Sequence, residues 1–200
     1  RTALETLRQP LEDREITISR AKYSTTLPCS FMLVASMNPC PCGYYNDPNH
    51  HCTCTPTQVQ RYKSKISGPL LDRIDIQIEV APVSVTELAR APKGEPSASI
   101  RERVIAARAI QTERYKNEHG VHCNAQMSRA MIEQFAQLDA EAAQSLQRAM
   151  RRLDLSARAY DRILKVARTI ADLDASPQIA ARHIKEAIGY RSLDRGDWGE

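Results

Sequence analysis

The strongest periodic signal lies in the second half of the chain, where apolar positions recur three and four residues apart. The spacing predicts a long helix over Ala98–Glu118. Ile100, Val104, Ile105 and Ala109 lie on one side of it, and Arg101, Arg103, Arg108 and Lys116 are among the polar positions. Gly120–Asn124 breaks that helix, and Ser128–Ala136, Asp139–Leu153, Ser156–Asp172 and Ser176–Ser192 follow as further helices. Asp139, Ser156 and Ser176 are N-caps by residue type, since a short oxygen-bearing side chain accepts a bond from a first-turn N–H; Pro177 suits the turn after the last of them. Across Ser156–Asp172 the apolar stripe is Tyr160, Ile163, Leu164, Ala167, Ile170 and Ala171, opposite a basic ridge of Arg158, Arg162 and Lys165.

The first half mixes two periods. Leu4, Leu7 and Leu11 sit at helical spacing over Thr2–Leu11, with Pro10 near the end. Glu15–Arg20 alternates Ile16 and Ile18 with Thr17 and Ser19, and Tyr23–Leu27 is also β-prone. The two predict a hairpin with Arg14, Arg20 and Lys22 near its tip or rim. Phe31–Met37 is a nearly unbroken apolar run between Pro28 and Pro39, which predicts a buried strand, central in a parallel sheet. Pro39 ends it and leaves the Asn38 amide at the strand's end, where open α/β sheets keep ligands; a simple turn at Asn38 is the plainer alternative. Thr57–Ile66 reads as a short helix broken by Ser67-Gly68-Pro69. Ile74–Val80 then alternates as a strand with one wet face. Arg73 stands at the mouth of that strand between Asp72 and Asp75, where a surface ion pair is its plainest role. Ala81–Ser99, with Pro82, Pro92, Gly94 and Pro96, is a connector and the expected domain boundary.

Composition narrows the class. A chain of 200 residues with 26% charged and 42% hydrophobic positions is that of an ordinary globular protein of one or two domains, which excludes a disordered chain. A formal net charge of +4 is too small to argue nucleic-acid binding by itself. No run approaches a membrane span and no signal-peptide pattern opens the chain, so a cytoplasmic setting without membrane partners is expected. Arg1-Thr2-Ala3-Leu4 reads as the interior of a helix, so a piece of a longer protein is expected. Of six cysteines, Cys40, Cys42, Cys52 and Cys54 form two tight pairs around a turn-rich loop. Such pairs bring four thiolates within reach of one tetrahedral Zn²⁺ at roughly 2.3 Å, although the Cys-x-Cys spacing is tighter than the common pattern. His50 or His51 in place of one thiolate, or four unliganded thiols, are the alternatives. A structural metal is favoured because exposed thiols at such density are a liability.

Four stretches together resemble one family. Leu7-Arg8-Gln9-Pro10-Leu11-Glu12, Asn38-Pro39-Cys40-Pro41-Cys42-Gly43, Ser67-Gly68-Pro69-Leu70-Leu71-Asp72-Arg73-Ile74-Asp75 and Ser156-Ala157-Arg158-Ala159-Tyr160-Asp161-Arg162 are similar to segments of the magnesium-chelatase-like AAA+ ATPases of the YifB/ComM type. The resemblance runs in order over almost the whole chain. It implies a partial α/β AAA+ core, a sheet with flanking helices, followed by an all-α helical lid. The core with its cysteine loop is expected over residues 1–82, a linker over 83–97 and the lid domain over 98–200.

The same resemblance implies roles. Asn38 matches sensor 1, the amide that orients the attacking water, and Arg73 matches the arginine finger that reaches the neighbouring subunit's nucleotide. Arg158 matches the sensor 2 arginine. The hairpin matches one that faces the pore in related rings, where Arg20 or Lys22 would touch DNA phosphates. The implied partners are DNA and copies of the chain in a ring, expected as a hexamer; the implied cofactors are ATP, Mg²⁺ and, on the cysteines, Zn²⁺. One departure is plain: no Gly-rich loop ending in Gly-Lys-Ser/Thr is present, and no apolar strand ends in Asp-Glu. Both motifs are expected upstream of Arg1, so this chain alone is not expected to hydrolyse ATP while its parent is. Branch migration of DNA is the favoured work of that parent. Chelatase-like metal insertion, or a non-enzymatic zinc-stabilised module that binds nucleic acid, are the alternatives.

Overall fold

Alternation of Ile16 and Ile18 with Thr17 and Ser19 produces strand β1 (Glu15–Arg20), which pairs antiparallel with β2 (Tyr23–Pro28) from Glu15↔Pro28 to Arg20↔Tyr23. The computed structural model describes residues 2–83, 89 and 94–191, and among these β1–β2 is the one sheet. On one face the Thr17 and Thr26 hydroxyls meet at 3.1 Å and those of Ser19 and Ser24 at 3.0 Å. The hairpin's base is closed by Cys29 N–H donating to Arg14 C=O at 2.7 Å. The predicted hairpin is therefore present, with its tip at Ala21-Lys22.

The helix predicted over Thr2–Leu11 divides into α1 (Thr2–Glu5) and α2 (Arg8–Asp13). Pro10 has no N–H with which to reach Thr6 C=O, so one bond of a continuous ladder is missing at the junction. Downstream lie α3 (Pro56–Lys63) and α4 (Gly68–Leu71), the latter capped by Ser67 Oγ accepting from Leu70 N–H at 3.3 Å.

The predicted central strand Phe31–Met37 is not one. The segment is assigned no strand, with Met32 86% and Val34 82% exposed. A buried strand needs neighbours to accept and donate its backbone hydrogen bonds, and among the described residues no strand flanks this one. Ile74–Val80 likewise forms only an isolated parallel bridge, Gln77↔Arg191, while Ile76, Ile78 and Val80 are exposed.

The described chain divides into two compact units, one ending at Ile74 and the other beginning at Asp75. The second is helical: α5 (Ser97–Arg114), a short 3₁₀ turn (Asn124–Gln126), α6 (Arg129–Phe135), α7 (Ala140–Arg152), α8 (Ala157–Leu173) and α9 (Ala181–Gly189). Helix α8 is central, packing on α5, α6, α9 and the 3₁₀ turn, and α9 packs on α7. Its predicted stripe is its buried face: Ile163, Leu164, Ala167, Ile170 and Ala171 join Leu146, Met131, Ile132 and Ile184 in the core, with Tyr160 partly buried against them. Asp139 and Ser156 cap α7 and α8 as predicted.

Two expectations fail in this unit. The predicted apolar side of α5 faces outward, with Ile100, Val104 and Ile105 exposed and Ala107 and Gln111 buried instead. Ser176 caps nothing: its Oγ donates to Gln178 C=O at 2.8 Å, because Leu138↔Ile179 pair as a short bridge and hold the chain extended. Helix α9 starts five residues later, at Ala181, where Ala180 N–H donates to His183 Nδ1 at 3.0 Å.

Candidate functional site

The four clustered cysteines converge. Cys40 Sγ lies 3.3 Å from Cys42 Sγ and 3.7 Å from Cys52 Sγ, and Cys42 and Cys52 are 3.5 Å apart. All four sulfurs, Cys54 included, lie within 4.8 Å of one another. Thiolates on one tetrahedral Zn²⁺ at 2.3 Å would be separated by about 3.8 Å, so the donors are placed for one ion. His50 and His51, the alternative ligands, are both exposed and stand outside this group of sulfurs.

Local chemistry explains the placement. Gly43 adopts φ +89°, a conformation most side chains avoid, and its N–H donates to Cys40 C=O at 3.1 Å. That turn presents the Tyr44 N–H to Cys42, and this bond leads the causes that pull the Cys42 thiol down to about 5. At Cys52 the backbone N–H of Cys54 favours the thiolate, but burial and the sulfurs of Cys42 and Cys40 push it up to about 12. Thiols bind a metal as thiolates, so loading a cation on these sulfurs would be linked to proton release. The second pair runs straight into α3, whose start is a full capping box: Thr55 Oγ1 accepts from Gln58 N–H at 3.3 Å, and Thr55 N–H donates to Gln58 Oε1 at 2.8 Å. Between the pairs, Asp47 accepts from Asn49 N–H at 2.7 Å and meets His50 Nδ1 at 3.3 Å, while the Tyr44 and His50 rings stack at 4.8 Å.

The remaining predicted site residues do not gather around the cysteines. Asn38 is exposed at the end of the 31–37 segment, with its Nδ2 3.9 Å from where a Cβ on Gly43 would sit. Arg73 folds back along α4. Its Nε lies 3.0 Å from Glu12 Oε2 as an ion pair, Nη1 donates to Pro69 C=O at 2.7 Å, and the side chain is 9% exposed. Arg20 and Lys22 are exposed at the hairpin tip, and Arg158 is exposed on the first turn of α8.

Sequence reading missed two sets. Glu12 as the partner of Arg73 is separated from it by sixty-one residues, and no local pattern signals such a pair. The other set is buried: Asp172 accepts from Arg114 Nη1 at 2.7 Å, Asn124 Nδ2 at 2.8 Å and Arg168 Nε at 3.1 Å. Asp172 and Arg168 stand four apart on α8, a spacing at which a carboxylate and a guanidinium meet, and this was the available signal.

Comparison with known proteins accounts for nearly the whole chain. Residues 1–88 match the family described as magnesium chelatase, subunit ChlI, and residues 94–191 match the ChlI C-terminal family. The chain belongs to the magnesium-chelatase ChlI family. Relatives include YifB of Escherichia coli K12, 42% identical over 98% of this chain, and the competence protein ComM of Haemophilus influenzae, 44% identical over 98%. A protein of Mycobacterium tuberculosis is 35% identical over 95% of the chain. In each case the chain spans 37% of the relative's length. A small sheet with flanking helices followed by a helical region is the arrangement a partial ChlI-type AAA+ core and lid would have. No described helix is long and apolar enough to cross a membrane.

Proposed function

We propose that this chain is the C-terminal part of an ATP-driven AAA+ motor that remodels DNA, with branch migration as its task. The observation that carries the reading is the match, over 98% of this chain and 37% of the relative, to a protein named for competence. Arg73 is held within its own chain by Glu12 and Pro69, so its action across an interface requires that ion pair to open when a neighbouring subunit's nucleotide arrives. In this reading residues 1–82 are core, 83–97 a linker and 98–200 the lid. In the full-length protein Asn38 and Arg158 serve the nucleotide, ATP with its Mg²⁺ held by the upstream motifs, and Arg73 acts across the interface of a ring, a hexamer. The exposed Arg20 and Lys22 meet DNA phosphates, where each neutralised charge releases a counterion. Cys40, Cys42, Cys52 and Cys54 hold a structural Zn²⁺, which would fix the loop at the start of α3.

The test is ATP hydrolysis by the full-length protein, with and without forked DNA. Strong stimulation by the fork is expected, and Arg73→Ala should lower kcat by about 10³-fold or more while leaving nucleotide affinity within a few-fold. ATPase indifferent to DNA would overturn the substrate reading, and loss of nucleotide binding in Arg73→Ala would overturn the trans role. The four-sulfur cluster favours one rival, a zinc-stabilised nucleic-acid-binding module; absence of any ATPase with zinc-dependent DNA binding would select it.

A further inference from the structure

Beside the sulfurs lies a depression of about 630 Å³, lined by Pro41, Cys42, Thr53 and Cys54, by Gln58, Arg61 and Tyr62 of α3, and by Lys65 two residues past its end. Arg61 in the last turn of α3 and Lys65 just beyond the helix put two positive charges beside this hollow. Neither α3 nor the turn after it contains a carboxylate to offset them. From Cys40 to Ile66 the sole acid is Asp47, already engaged by Asn49 N–H and His50. Lys65 Nζ sits 5.2 Å from the Tyr62 ring centroid, and Lys63 Nζ 5.1 Å from that of Tyr45. Tyr44 and Tyr45 are exposed on the adjoining loop.

We infer that this face, the cysteine loop with α3, is a second nucleic-acid contact that holds the phosphate backbone of a single strand. Arg61 and Lys65 supply charge, Thr53, Gln58 and Tyr62 supply neutral hydrogen-bonding groups, and the loop tyrosines offer rings for bases to stack on. A donor-rich hollow whose lining holds no carboxylate complements an anionic chain and disfavours a basic peptide, and the neighbouring tyrosine rings favour a nucleic acid among anions. The sulfurs' own negative charge is met locally. At Cys42 it is met by the backbone N–H groups of Tyr44 and Thr53, and a bound Zn²⁺ would halve the charge of four thiolates, leaving about two negative charges for Arg61 and Lys65 to offset. The inference rests on the proposed DNA reading but assigns it a surface distinct from the hairpin tip.

The experiment is binding of a 30-nucleotide oligothymidylate to the full-length protein across a salt series, in three forms: native, Arg61→Ala/Lys65→Ala and Arg20→Ala/Lys22→Ala. The first double variant is expected to raise Kd about tenfold at 0.1 M salt and to flatten the log–log salt slope by about 1.4, the effect of two lost phosphate contacts on a single strand. Its metal content should stay that of the native protein, which shows the loop still folds. An unchanged Kd and slope in Arg61→Ala/Lys65→Ala, alongside weakened binding in the hairpin variant, would overturn this surface and leave the DNA reading standing. Failure of the native protein to bind the oligonucleotide would overturn both.

Discussion

Asp172 shows how much can hang on one side chain. Its carboxylate is wholly buried, and Arg114, Arg168 and Asn124 all donate to it. Arg168, 2% exposed on its side chain, also donates to Pro177 C=O at 2.9 Å and so ties the end of α8 to the segment before α9. Buried charge is stable only while paired, and removing one partner leaves the others desolvated without compensation. Asp172→Asn should therefore cost about 3 kcal/mol or more, a fall of roughly 10 °C in Tm by scanning calorimetry. Burial works to raise the carboxyl's pKa, but the bonds from Arg114 and Asn124 and the charge of Arg168 override it and hold it below the usual carboxylate range. A depressed folded pKa gives stability that is complete above the unfolded value near 4 and is lost as pH falls toward the folded one. Melting measured from pH 7 to pH 2 should show the native protein losing stability below about pH 4. The Asn variant should lose less there, since it no longer carries that proton-linked term, and parallel curves for the two would show the pair to be unimportant.

At the scale of elements, the cysteine loop and α3 form one unit, because Cys52-Thr53-Cys54 ends at the N-cap Thr55. A metal on the four sulfurs would couple the loop's order to the helix's first turn. Removing zinc with a chelator, or substituting Cys52→Ser, is expected to release about one equivalent of metal per chain and to lower the first unit's melting temperature. Metal content and melting that do not change would leave the cysteines as plain thiols. This pairing was legible in sequence because Cys-x-Cys twice around a turn-rich loop carries its own geometry. Helix α8 was legible for a similar reason: a stripe of Ile163, Leu164, Ala167, Ile170 and Ala171 between a capping Ser156 and a left-handed Ala175 needs no distant partner to declare itself. Ser176 carried the same capping signal and misled, since the bridge Leu138↔Ile179 outcompeted a local cap. Ile100, Val104 and Ile105 misled in the other direction. Their spacing records a face that wants burial, and the buried face of α5 is set instead by Gln111 and Arg114, which reach Asn124. Local patterns report what a segment prefers; the ion pairs Arg73–Glu12 and Arg162–Asp75 depend on what the chain brings near, and no window of sequence contains both ends.

For the whole molecule, the apolar surface left in water is the informative quantity. In the first unit Phe31, Met32, Leu33, Val34 and Met37 are exposed in one continuous segment; in the second, Ile76, Ile78, Val80 and Val83 are exposed in another. Stretches of this length rarely stay bare in a stable monomer, because each wetted branched side chain forgoes about 1.5–3 kcal/mol of burial. Their strand-like sequence, outside any sheet among the described residues, also makes them templates for adding a further strand. The chain spans 37% of its relatives' length, which leaves room in a full-length protein for the covering elements. Residues 1–200 expressed alone should accordingly bind a hydrophobic dye such as anilinonaphthalene sulfonate and gain mass with concentration in light scattering, whereas the full-length protein should bind several-fold less dye per chain. Met32→Lys/Val34→Lys should suppress the association of the short chain without changing its far-ultraviolet circular dichroism, since neither side chain supports a described element. A short chain that is monodisperse and silent to the dye would mean that these segments are covered from within residues 1–200, and a covering strand would then have to be sought among them rather than in a longer parent.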